Sequence, residues 1–285
     1  MQSHGRRRIS TASVSLDHLK GTIVRKRRIA PTSSVTMFPS TPLIDSLRSQ
    51  GFDIDVQYYA DVILEGAFPT LLSEIVGTLS NFRIDIEELI RGRGGEAPHT
   101  QRLGNTLSAM GWVEHEFRIT THIDEREVVS QTHKIDHIKS WNDTTIGLEI
   151  EWNNKDPFFN RDLETFSRLH ADDVISVGII VTRGKSLNDG LGPTILGWAN
   201  KSGISSISDL APYDYTPTVR QQTTINQRTA RGQSFAEAWT GLFISDKYGA
   251  ATTHWDKLRT RLLQGVGAPC PILSIGLPLS CIVTP

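Results

Sequence analysis

The chain has 285 residues, enough to bury one large core or two small ones. Hydrophobic residues make up 38% and charged residues 21%, as in an ordinary globular protein, and no apolar run is long enough to span a bilayer. The formal net charge of −1 hides an asymmetry: residues 1–40 carry a run of Arg and Lys (Arg6, Arg7, Arg8, Lys20, Arg25, Lys26, Arg27, Arg28) against Asp17, which leaves an acidic body.

A basic arm on an acidic body does not suit a protein that coats DNA. It suits one that meets phosphate locally, with bound metal offsetting its acids. The N-terminus lacks the apolar run of a secretory signal, and Cys270 and Cys281 read as small buried hydrophobes, so a cytoplasmic protein is expected.

Residues 1–40 read as a mobile basic arm, either a solvated tail or a segment that touches DNA backbone. Residues 41–285 read as one domain, with a core over about 51–200 and a recognition or dimer region over about 184–285. Pro42 to Ser49 suggests a short helix, and Phe52 to Val56 alternates as a strand. Pro69 to Leu79 carries the apolar stripe Leu71, Leu72, Ile75, Val76 and Leu79 of a helix. Ile84 to Ile90 suggests another short helix. Arg91 to Gly95 is a basic, glycine-rich loop without the Gly-Lys-Ser/Thr ending that cradles phosphates, so no nucleotide cofactor is expected. Glu96 follows, ahead of a helix predicted over Thr100 to Met110.

The most informative stretch begins at Lys134. Asp136 sits in a β-like run, and a turn is expected at Asn142-Asp143. The period-two pattern that follows puts Leu148, Ile150 and Trp152 on one face of a strand and Glu149 and Glu151 on the other. Paired as a hairpin, the two segments bring Asp136 beside Glu149. Carboxylates a few Å apart raise each other's pKa unless a cation sits among them. The economical occupant is a hard divalent ion held by oxygen. His133 and His137 flank Asp136 at a spacing that suits zinc only on a helix, and the local pattern is strand-like.

Asp156-Pro157 reads as a helix start, an N-cap acid followed by proline at the first helical position. In that helix Phe159, Leu163 and Phe166 form the buried face, while Arg161 and Arg168 lie opposite with Glu164 between them. Ile175 to Val181 reads as a strand buried on both faces, ending at Arg183, Gly184 and Lys185. Such strand ends line clefts, so Arg183 and Lys185 are expected to face DNA. A helix is predicted over Pro193 to Asn200. No Asp or Glu lies between Asp214 and Glu237; that gap holds Arg220, Gln221, Asn226 and Arg228, either a polar surface loop or a segment that reads bases. Ser234 to Ile244 and Thr253 to Leu263 read as helices and Pro271 to Ile275 as a last strand. The fold class implied is α/β, a central mixed sheet flanked by helices.

The segments KIDHI, GLEIEWNNKDPFFNRDLETFSRLH and ISVGIIVTRG, with FDIDVQYYADVILEGAFPTLLSEI and GGEAPHTQRL upstream, resemble the BglII-type restriction endonucleases of the PD-(D/E)XK nuclease superfamily. The resemblance covers roughly residues 51–200. It implies a restriction-endonuclease-like core and a homodimer that cuts palindromic double-stranded DNA and leaves 5′-phosphate ends. It also implies magnesium as cofactor, with manganese as a substitute. Asp136, Glu149 and Glu151 stand as metal ligands and catalytic acids, and Glu96 supports them. Glu151 occupies the place where the superfamily usually has lysine, which leaves the general base open. Asn153 and Asn154 stand where relatives read bases, and Lys155, Arg183, Lys185, Arg220 and Arg228 are candidate DNA contacts. Two alternatives remain: a same-fold nuclease without strict site specificity, in defence or repair, and an inactive DNA-binding module.

Overall fold

A computed structural model describes residues 41–91, 95–142 and 144–284. The basic arm expected at 1–40, residues 92–94 of the glycine-rich loop and Asp143 of the expected turn lie outside these residues.

The strands are β1 (Asp53–Gln57), β2 (Ile84–Asp85), β3 (Val113–Ile123), β4 (Arg126–Trp141), β5 (Thr144–Glu151), β6 (Val177–Arg183), β7 (Ile272–Leu277) and β8 (Ile282–Val283). Six of them form a mixed sheet in the order β1-β7-β6-β5-β4-β3, and β2 pairs with β8 apart from it. The centre, β5-β6-β7, is parallel; both margins are antiparallel. The helices are α1 (Pro42–Ser49), α2 (Ala60–Ala67), α3 (Pro69–Asn81), α4 (Ile86–Ile90), α5 (Pro98–Ala109), α6 (Pro157–Ala171), α7 (Lys185–Lys201), α8 (Val219–Thr229), α9 (Phe235–Tyr248) and α10 (Trp255–Leu263). This is the α/β arrangement expected from the sequence. Among the described residues no single helix is long and apolar enough to cross a membrane.

The sheet separates two cores. On one face Ile146, Leu148, Ile150 and Trp152 join Val177, Ile179 and Val181 in the larger cluster, against α1 to α5, α7 and α9. On the other face Ile135, Ile138, Ile180 and Ile272 meet Phe159, Leu163, Phe166 and Leu169 of α6 and Leu258 and Leu262 of α10. The period of two along β5 therefore sends Glu149 and Glu151 toward α6. Close approach of α6 depends on Gly178: a Cβ there would collide with the Phe166 ring.

Several elements depart from the sequence reading. β3 and β4 form a long hairpin whose turn, Asp124-Glu125, has positive φ at both residues (48° and 63°), a twist that Asn-Gly or Asp-Gly would have announced. α7 starts at Lys185 rather than at Pro193, which sits inside the helix. An interior proline costs about 3 kcal/mol; burial of Leu187, Leu191, Ile195 and Trp198 offsets it. The segment read as either a polar surface loop or a base-reading stretch contains α8. Only Ile225 is buried in it, so it shows no apolar stripe, but Thr218 and Gln221 close a capping box at its start. Asp156 stands at the start of α6 without capping it. Its carboxylate instead takes Arg261 at 2.9 Å and Lys257 at 3.4 Å, tying α6 to α10.

Candidate active site

The expected hairpin is present: β4 runs antiparallel to β5 with His137 opposite Leu148. Next to His137 in the chain, Asp136 brings its carboxyl within hydrogen-bonding reach of Glu149. The β3–β4 pairing passes from Val113↔Ile138 to His115↔Ile135, so β4 carries one extra residue between them. A β-bulge of this kind bends a strand and re-aims a side chain. Here it falls on Asp136 and His137, and Asp136 is exposed although both neighbouring strands are paired.

Glu149 is only 2% exposed, and its Oε2 has no hydrogen-bond partner. Burial raises its pKa well above the ordinary carboxylate range. Asp162 and Asp136 add to the rise, and the Asp136 carboxyl is close enough to share a hydrogen bond. Glu151 is equally buried. Its Oε2 accepts from Asn154 Nδ2 at 2.9 Å, and its Oε1 lies 3.7 Å from an Arg161 terminal nitrogen. Burial, then Asp162, pushes it up to about 8.

Asp162, on α6, completes the buried group. Its Oδ1 takes Arg161 at 2.8 Å, Oδ2 has no partner, and burial raises its pKa against the pull of Arg161. The sequence reading passed over it. The signal was there: Asp162 falls on the same helical face as Phe159, Leu163 and Phe166, and a lone acid on an apolar stripe is rarely idle. Glu96, exposed in the turn before α5, is raised first by desolvation and then by Asp136, which places it on the open side of the cluster.

Among the described residues no three His, Cys, Asp or Glu side chains already converge as a finished metal nest. What is present is a pair of adjacent carboxyls, Asp136 and Glu149, with one bare buried oxygen. That donor set fits a hard cation that takes its remaining ligands from water and phosphate. It does not fit a soft metal.

The expected DNA contacts divide. Asn153 is half-buried and Asn154 and Lys155 are exposed, on a loop stapled to a second one: Thr253 N–H donates to Asn154 O at 2.8 Å and Asp156 N–H to Ala251 O at 2.9 Å. Arg183 corrects the reading, for it is fully buried. Its guanidinium donates to Trp152 O (2.8 Å), Thr252 Oγ1 (2.7 Å), Thr253 O (2.7 Å) and Asn188 Oδ1 (3.3 Å), and stacks over Tyr248. The two loops converge there and leave carbonyls that need a donor, so the strand-end arginine turns inward. Lys185 is exposed and pairs with Asp189 at 2.9 Å. Arg220 is exposed and Arg228 donates to Ala238 O at 3.2 Å; neither lines the cavities around Asp136. Arg161 and Arg168, on the helix face where Glu164 lies between them, hold Asp162 and Gln131.

A search of curated proteins returns no match. A family model described as restriction endonuclease BglII/BglIII matches residues 52–277, a span that includes all six strands of the central sheet and every acid of the cluster. The chain belongs to the BglII/BglIII restriction endonuclease family.

Proposed function

We propose that the protein is a type II restriction endonuclease that hydrolyses phosphodiester bonds in double-stranded DNA at a palindromic site and leaves 5′-phosphate ends. It would act as a homodimer, each subunit presenting one acidic site to one strand, so that twofold symmetry matches the palindrome. The observation that carries the reading is the Asp136–Glu149 pair with its bare buried oxygen, in a chain of this family.

Asp136 and Glu149 would hold magnesium, with Glu96 beside them on the open side. When bound, magnesium polarises the scissile phosphate and lowers the pKa of a bound water. Glu151 cannot supply the positive charge of the usual lysine. Arg161, 3.7 Å away, supplies it instead. Glu151, held by the Asn154 amide, orients the attacking water. Asn153 and Asn154, rigidly backed by residues 251–253, face the bases; asparagine pairs bidentately with adenine in the major groove.

Plasmid incubated with the protein and magnesium tests this. Wild type should give discrete fragments. Glu149→Ala should give none, yet retain site binding in calcium. A smear, or plasmid left intact across many substrates, contradicts the proposal.

A further inference from the structure

We propose that the basic cavity between β4 and α6 seats the phosphodiester next to the one that is cut. The inference rests on the nuclease reading and deepens it, because it sets the direction in which the DNA strand leaves the site.

Asp136 stands on a ridge between two cavities. One, of about 610 Å³, is lined by His133 and Lys134 of β4 and by Arg161 and Arg168 of α6; its carboxylates are Asp136 and Glu164. The other, of about 560 Å³, holds Glu96, Glu114, Asp136 and His137 among neutral polar side chains and has no Lys or Arg in its lining. The two sides of one carboxylate thus differ in sign. A DNA strand carries a charge about every 3.4 Å along the helix axis. A strand with its scissile phosphate at Asp136 must send its next phosphates to either side, and only the basic side attracts one.

The cations are available to a phosphate. Arg161 is anchored by Asp162 yet 58% exposed, so it is held in place with its outer edge open. Arg168 uses one terminal nitrogen on Gln131 and is otherwise exposed. Lys134 pairs with Glu114 at 2.7 Å, but both are exposed, and such pairs exchange readily for a phosphate. His133 Nε2 is buried without a partner at the same wall. Burial and then Arg168 lower the His133 pKa, with Asp172 opposing.

The test uses Lys134→Gln/Arg168→Gln in the full chain. In calcium, where no cutting is needed, the double variant should lower the slope of log affinity for duplex DNA against log salt by about 1. On the duplex that wild type cuts, a single uncharged methylphosphonate linkage is then moved stepwise past the cut. Wild type should lose affinity at the neighbouring linkage on one side only, and the double variant should no longer distinguish that linkage. An unchanged salt slope, or equal losses at both neighbouring linkages in wild type, overturns the proposal. Failure of wild type to cut any plasmid overturns the nuclease reading instead, and the salt slope still reports on the cavity.

Discussion

Two buried charged sites lie on neighbouring strands and could hardly differ more. On β6, Arg183 is fully enclosed, and four protein oxygens accept from its guanidinium. On β5, Glu149 is as deeply enclosed, but one of its oxygens is bare and the carboxyls of Asp162, Asp136 and Glu151 repel it. Arg183 keeps its charge, lowered only to about 10 by burial. Glu149 is driven toward its neutral form. A buried charge that serves the fold is satisfied by the fold. One left in tension is waiting for something the chain does not supply, and that is the physical signature of a functional site.

The contrast can be broken most strongly at the acids. Asp136→Ala or Glu149→Ala should reduce plasmid cleavage on the order of 10²–10³-fold or more, as loss of a group that stabilises developing charge does, while the melting temperature holds or rises. A variant that loses activity because it melts early would put these acids in the same class as Arg183.

Arg183→Met should do the reverse. It strands the carbonyls of Trp152 and Thr253, each costing about 1–3 kcal/mol when buried unpaired, so chemical denaturation should show a loss of roughly 3 kcal/mol. Cleavage by the folded fraction should fall less than in Glu149→Ala.

The pH dependence sharpens the comparison. Glu149 and Glu151 have folded pKa values above their unfolded ones, so the native state binds more protons than the unfolded chain between them. Metal-free stability should therefore fall as pH rises from the ordinary glutamate range toward about 8, where Glu151 titrates. Denaturation midpoints across that window should show the fall in wild type and a flatter profile in Glu149→Gln/Glu151→Gln.

The smallest effect is expected at Asn154, which donates to Glu151 at 2.9 Å from an exposed loop. Asn154→Ala should cost about 1 kcal/mol in stability. Its larger consequence should be loss of discrimination between cognate and near-cognate sites, read from cleavage ratios.

The satisfied site was the harder one to see in the sequence. The strand of alternating acids is visible because period two needs no tertiary knowledge, and the hairpin follows from the turn between the segments. Asp136 could be paired with Glu149 for the same reason. Nothing local says that β4 gains a residue at Asp136–His137, because a bulge is a property of two strands together. Arg183 was misplaced because its acceptors are carbonyls of residues 152 and 253, distant in sequence and chemically silent. Asp162 was legible as an acid on an apolar face, but Arg161 and Glu164 beside it offered an ordinary surface pairing. The helix α8 was hidden by its polarity and disclosed only by Thr218 and Gln221.

Thermal unfolding of wild type and Glu149→Gln, each with and without magnesium at alkaline pH, bears most directly on why like charges gather behind Asp136. Magnesium should raise the wild-type melting temperature. Glu149→Gln should melt higher than wild type without metal and gain nothing from it. Equal gains in both proteins, or none in wild type, would mean that no cation belongs between these carboxylates.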